Sequence, residues 1–362
     1  MYCILDEVYL PLLRTFLYLR IILKNSLLIT LLTTFTYGIF ATGCQWFDQS
    51  HISLAADTTI SLEAREWSKK IDQNPENIEY YLQRAEVLND EKRYDLSIRD
   101  YQSAITKDGD NSSYHYMLGD AFFANNETTQ ALEQYQKAEA VNPNDITAVF
   151  KTAQFLYFVR QFDKSKIRFG KLLKLSPQHA DGHFFSGMLY KEDGDTATAI
   201  EFFEKTITLL GSDYNSSLQL AMLYETKGKY SEALSNYEKA INTDPTSSEA
   251  YYARGLLHQK MGNDERAMVD YQKTIEANPT SFNAFYNAGN VLAERGNYQK
   301  AVQHFEMCVR FLPEIAKPYN RIGQCMELLG NTNKAMENYR KCLQIDPNFA
   351  LAKEGLARLG KL

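Results

Sequence analysis

Residues 237–255 read YEKAINTDPTSSEAYYARG, residues 271–289 read YQKTIEANPTSFNAFYNAG, and residues 305–323 read FEMCVRFLPEIAKPYNRIG. The three stretches are 34 residues apart. Each opens on an aromatic, passes through a proline (Pro245, Pro279, Pro313) and closes on a glycine (Gly255, Gly289, Gly323). Moving outward in steps of 34 finds Pro75, Pro143, Pro177 and Pro347, with Gly109 and Gly211 on the two remaining beats. No insertion or deletion disturbs the register over eight periods, from residue 78 to residue 349. A fixed period of this length marks a stacked repeat, in which one unit cannot bury its apolar face alone and neighbours complete the core.

Counting slots from the first residue of each period gives columns with a physical meaning. Slot 8 holds Ala85, Gly119, Ala153, Gly187, Ala221, Gly255, Gly289 and Gly323, small residues where two helices approach closely. Slot 20 is also small, from Ser97 and Ala131 to Ala335. Four residues later, on the same helical face, slot 24 is always aromatic: Tyr101, Tyr135, Phe169, Phe203, Tyr237, Tyr271, Phe305 and Tyr339. Glycines at 194, 228, 262, 296 and 330 punctuate the last five periods between two helical patterns. Pro or Gly at slot 32 ends the second of them.

This pattern resembles the tetratricopeptide repeat, a 34-residue helix–turn–helix unit. The resemblance implies an all-α fold, a right-handed α-solenoid (superhelix) of such units. It spans 78–349 as repeats 78–111, 112–145, 146–179, 180–213, 214–247, 248–281, 282–315 and 316–349. Residues 60–77 are expected to form an N-terminal capping helix with Trp67 in the aromatic slot, and 350–362 a C-terminal one. The tryptophan often seen early in the first helix of this family is absent. Arg84 occupies an apolar slot, which predicts looser packing in the first repeat.

Ahead of the array, residues 26–43 carry no charge and follow Arg20 and Lys24. A basic flank, an apolar run and small residues form the pattern of an export signal, and 18 positions are marginal for a spanning helix. Residues 41–44, ATGC, resemble the lipobox of bacterial lipoproteins, in which the cysteine receives a diacylglyceryl group; Ala41 departs from the usual aliphatic residue. Residues 1–43 are thus an export signal or a membrane anchor, and 44–59 a linker. Cys44 is the expected lipid attachment site, or a loop thiol if the segment is an uncleaved anchor or neither signal nor anchor.

The chain has net charge −6, and residues 1–43 contribute +1, leaving −7 for the body. A mildly acidic body argues against nucleic acid, since phosphate binding wants a concentrated basic surface. Five scattered cysteines make no disulfide framework. No GxxxxGK[ST], HExxH or GxSxG occurs. His115, His183 and His258 fall in slots that are usually apolar and read as core. His179 and His183 share a helical spacing but lack a third ligand. Cys308 and Cys342 occupy one slot of neighbouring repeats, about 8–10 Å apart by helix packing and too far for a disulfide. KDGDNSS, residues 107–113, lacks the ligand spacing of a calcium loop and reads as a turn. No catalytic residue, metal or cofactor is expected.

In this family the first helices line the concave face, so slots 2, 5, 9 and 12 should point inward. That row reads Tyr116, Phe123, Phe150, Tyr157, Phe184, Met188, Leu218, Met222, Tyr252, Leu256 and Tyr286, flanked by polar groups such as Lys191, Asn290 and Asn320. Aromatic anchors and flexible methionines suit an extended peptide or an amphipathic helix. The Lys and Asn pattern with which chaperone-binding members clamp a C-terminal carboxylate is missing. The expected function is a non-enzymatic scaffold that binds protein partners at a bacterial cell envelope. The alternative is a structural subunit of an envelope assembly or secretion complex.

Overall fold

The computed structural model describes residues 53–360. Among them are eighteen α-helices and no strand. A lone helix, α1 (Leu62–Gln73), precedes eight hairpins. The first four are α2 (Ile78–Asp90) with α3 (Tyr94–Lys107), α4 (Ser112–Ala124) with α5 (Thr128–Val141), α6 (Ile146–Phe158) with α7 (Phe162–Leu175), and α8 (Ala180–Glu192) with α9 (Thr196–Leu210). The last four are α10 (Tyr214–Thr226) with α11 (Tyr230–Thr243), α12 (Ser248–Lys260) with α13 (Asp264–Ala277), α14 (Phe282–Glu294) with α15 (Tyr298–Phe311), and α16 (Ala316–Leu328) with α17 (Thr332–Ile345). A short helix, α18 (Ala350–Arg358), closes the array. Each helix packs on its neighbours in chain order, which makes the body an α-solenoid. The lipobox and its leader, residues 1–44, lie outside the described residues.

Local chemistry sets the boundaries of the first helices. The residue before each first helix is a cap: Asn77, Asn111, Asp145, His179, Asp213, Ser247 and Ser281 all accept a backbone N–H of the first turn. Ile315 cannot do so, and there Pro318 in the first turn removes one N–H that would otherwise need a partner. Each first helix ends in a six-to-one hydrogen bond, from Arg93 N to Leu88 O (2.8 Å) through to Asn331 N to Met326 O (2.8 Å). That closure demands a left-handed residue at slot 15. Five repeats supply glycine, with φ between 71° and 80°, whereas Lys92, Asn126 and Arg160 hold φ of 60°, 63° and 59°.

The core lies between consecutive hairpins. The slot-24 ring of each second helix lies over the small slot-8 residue of its own first helix. A Cβ on Gly187 would stand 2.8 Å from Phe203 Cε1, and one on Gly289 2.7 Å from Phe305 Cε1. All eight rings are buried; Phe203, Tyr271, Phe305 and Tyr339 are wholly inaccessible. Burial of such a side chain is worth about 1.5–3 kcal/mol. Cys308 and Cys342 are buried free thiols in this core, and burial pushes them up to about 12 and about 11.

Two expectations are corrected. Arg84 does not loosen the first repeat: its side chain is 3% exposed and paired bidentately with Asp100. Trp67, unlike the other slot-24 aromatics, is only half-buried, and among the described residues no first helix precedes α1 for it to lie against. It instead meets Tyr80, with ring centroids 5.9 Å apart, beneath Lys70 Nζ at 3.7 Å. Gly211 also acts differently from Gly109. It adopts φ 78° and lets α9 run one residue longer than its counterparts, whereas α3 stops at Asp108 as the proline repeats do.

Candidate interaction face of the first helices

First helices touch directly across repeats at α4 with α6, α6 with α8 and α16 with α18, while no two second helices pack to a comparable degree. The first helices therefore form the tighter, inner side of the solenoid. Side-chain bonds tie neighbouring first helices along it. Lys151 Nζ reaches Asp120 Oδ2 at 2.8 Å, Lys191 Nζ donates to Gln219 Oε1 at 2.6 Å, Asn287 Nδ2 donates to the Tyr252 hydroxyl at 3.0 Å, and Arg321 Nε donates to Asn290 Oδ1 at 2.8 Å. Such cross-ties hold the spacing between presented side chains. Burial lowers the Lys191 ammonium below the usual lysine range.

The row expected from sequence lies on this side, but its members are half-buried and rest on the core beneath them. Tyr116 packs on the cluster around Tyr135, Phe150 and Tyr157 on that around Phe169, and Phe184 and Met188 on that around Phe203. Met222, Tyr252, Leu256 and Tyr286 do the same in later repeats. Leu218 belongs to the core itself, 4% exposed beside Tyr237. Asn320 is likewise buried at 2%, with no hydrogen-bond partner for Oδ1 among the described residues.

The reading by slots missed Phe158. It sits at slot 13, is 47% exposed, and stacks on Phe123, which is 38% exposed, with centroids 6.3 Å apart and planes within 10°. From there rings run unbroken along α6 and α8: Phe158 to Phe185 at 6.1 Å, Phe185 to Tyr157 at 5.3 Å and to Phe150 at 6.1 Å. The signal was present as FLYF at residues 155–158, where three aromatics in four positions cannot all face one core.

The remaining candidates have structural partners. His179 Nδ1 caps α8 by accepting from Gly182 N at 3.1 Å, and His183 Nε2 bonds the Pro177 carbonyl at 2.8 Å. His115 is held at both nitrogens, by Gln134 at 2.9 Å and the Gly109 carbonyl at 3.3 Å. Burial lowers His258 below the usual imidazole range. Asp108 and Asn111 form turns within residues 107–113. No cluster of metal-ligating side chains occurs among the described residues, and none of their helices is long and apolar enough to cross a membrane.

Comparison with known proteins agrees with this geometry. The signature described as "TPR repeat" matches residues 119–157 and 223–262, and those described as "Tetratricopeptide repeat" match 180–209, 248–281, 270–303 and 316–349. Together they cover just over half of the chain. The chain belongs to the tetratricopeptide-repeat family. Human anaphase-promoting complex subunit 7 is 34% identical over 77 residues, which is 21% of this chain and only 14% of that protein. The C-terminal part of a TPR repeat-containing protein from Cytophaga hutchinsonii is similar in structure, with TM-score 0.57 and 18% identity over 67% of this chain and 99% of that one. A tetratricopeptide repeat protein from Parabacteroides merdae gives TM-score 0.48 at 18% identity, covering 78% of this chain and 99% of that one.

Proposed function

We propose that this protein is a non-catalytic scaffold that binds a peptide segment or amphipathic helix of a partner protein along its first helices, while tethered to a bacterial cell envelope. The observation that carries the binding reading is the stacked pair Phe123 and Phe158, exposed at the head of the ring series on α4, α6 and α8. Exposed aromatics on a cross-tied, preorganised face are what binding hot spots consist of. The tether reading rests on the apolar run and ATGC at 41–44. A lipid on Cys44 would hold the array at the membrane, with a linker ahead of α1.

Chemical crosslinking in native membranes tests the first reading. Phe158→Ser with Phe123→Ser should abolish capture of the partner while leaving the helical circular dichroism of the purified chain intact; unchanged capture overturns the site. Phe184→Ala with Tyr252→Ala should weaken capture but also lower stability, since both rings rest on core residues. Fatty-acid labelling tests the second reading: label should vanish in Cys44→Ser, and label that persists refutes lipid attachment there.

A further inference from the structure

The charge of this chain is unevenly distributed. Residues 146–179 carry seven lysines and arginines against the single Asp163, a formal +6 in a chain of −6. The repeats on either side are acidic: −4 over residues 112–145 and −5 over 180–213. Five of the seven cations are on α7, which reads FDKSKIRFGKLLKL. Its buried positions are Ser165, Phe169 and Leu172, so the opposite side, with Lys164, Ile167, Gly170 and Lys174, faces solvent. Ile167 is 65% exposed, more than any other large apolar side chain described.

Internal pairing leaves much of this charge uncompensated. Arg168 and Lys171 share one carboxylate, Glu139, at 2.8 Å each, and Lys166 pairs with Asp193. Lys164 reaches only the neutral Gln161 side chain, and Lys174 has no carboxylate partner among the described residues. The excess is larger on α7 than on any other helix described, although α15 also has cations, Lys300 and Arg310, at the slots of Lys164 and Lys174. At the slot of Lys164 the flanking repeats have Gln130 and Thr198, and at the slot of Lys174 they have Ala140 and Thr208.

We propose that the solvent side of α7 is a docking strip for a carboxylate-rich protein segment bearing an apolar residue to cover Ile167. Charge complementarity selects an anionic partner. Geometry selects a linear one. At the slot of Ile167 the flanking helices α5 and α9 carry Glu133 and Glu201, both exposed, so an extended anionic plane such as a lipid surface would meet carboxylates on both sides. The strip is one helix wide and about 15 Å long from Lys164 to Lys174 at 1.5 Å per residue. It is distinct from the first-helix face and does not depend on that reading.

The test is fluorescence anisotropy on the full chain with a labelled peptide of about twelve residues, rich in Glu and Asp and carrying one central Leu. Lys164→Glu with Lys174→Glu should weaken binding about tenfold, or ~1.4 kcal/mol. Lys227→Glu with Lys239→Glu changes the net charge equally on a different repeat and should leave affinity within about twofold. Ile167→Ser and raised salt should each weaken binding, and Phe158→Ser should not alter it. Equal losses for the two charge pairs, or no binding by the unaltered chain, overturn the proposal. So does equal retention on phosphatidylglycerol vesicles that the Lys164 and Lys174 changes abolish, since that outcome assigns the strip to a lipid surface.

Discussion

The guanidinium of Arg84 lies against the carboxylate of Asp100, with Nε 2.8 Å from Oδ2 and Nη2 2.7 Å from Oδ1, and its Nη1 donates to Ser68 Oγ at 2.9 Å. Three helices, α1, α2 and α3, are joined at this buried point. Removing one member leaves the other charged in a dry site. Arg84→Leu alone should therefore cost about 3–5 kcal/mol, whereas Arg84→Leu with Asp100→Leu should be close to neutral or stabilising. The same slot in the next repeat holds Leu118, 2% exposed, so an apolar side chain fits this place in the stack. Urea unfolding followed by Trp67 fluorescence reports the effect where it arises, because repeat arrays open locally. Additive losses in the double variant would refute the pairing.

Glycine-to-alanine changes should have opposite signs at two positions. A Cβ on Gly323 would stand 2.6 Å from Tyr339 Cε1, and one on Gly355 would stand 2.5 Å from Cε2 of the same ring, so both glycines lie close against it. Tyr339 has nowhere to withdraw, so Gly323→Ala should destabilise by about 1–3 kcal/mol. Gly170, on the solvent side of α7, has nothing within 4 Å of its Cβ position. Gly170→Ala should stabilise by about 0.5–1 kcal/mol through helix propensity. Thermal melts of the two variants beside the unaltered chain decide both signs.

Slot 15 offers the reverse exchange. Lys92 and Arg160 hold φ of 60° and 59° where the last five repeats place glycine. A left-handed conformation costs an L-residue roughly 1–2 kcal/mol, offset in part by the greater freedom of glycine in the unfolded chain. Lys92→Gly should therefore raise stability by about 0.5–1 kcal/mol, and Gly296→Ala, at φ 78°, should lower it by about 1 kcal/mol. Equal and opposite shifts in urea midpoint would support this account; a loss in Lys92→Gly would contradict it.

The helices were legible in the sequence because each column answers one repeated physical demand: a ring needs a small opposite number, and a first helix needs an end. Arg84 was misread because a charged side chain in an apolar slot is explained only by Asp100, sixteen residues away and visible as its partner only once the hairpin closes. The capping column that includes Asn77, Asp145 and Ser247 is hard to see in the sequence since three residue types and a histidine share the task. The interaction face was partly legible. Counting slots gives direction but not reach, so Leu218 and Asn320, both buried, were grouped with half-exposed Tyr252, while Phe158 was passed over one slot away.

The buried tyrosines predict alkaline sensitivity. Tyr135, Tyr237 and Tyr339 donate to Asp120, Glu225 and Glu327 at 2.6, 3.2 and 2.7 Å. Burial first, and then these carboxylates, raise all three hydroxyls far above the ordinary phenol value, and burial carries Tyr101 to about 12. A pKa raised on folding means that the folded chain keeps protons the unfolded chain releases. The stabilisation is therefore complete below about pH 10 and is lost as pH rises toward the folded values, by about 1.4 kcal/mol per pH unit for each residue. Melting temperature should be insensitive to these groups up to about pH 9 and fall steeply above pH 10, with phenol ionisation and loss of helix occurring together. Tyr271→Phe should make that fall shallower, since burial raises Tyr271 too and Phe169, Phe203 and Phe305 fill the same slot without a hydroxyl. Ionisation of Tyr135, Tyr237 and Tyr339 themselves near pH 10, resolved by their Phe variants, while the helices persist would contradict the buried, hydrogen-bonded geometry.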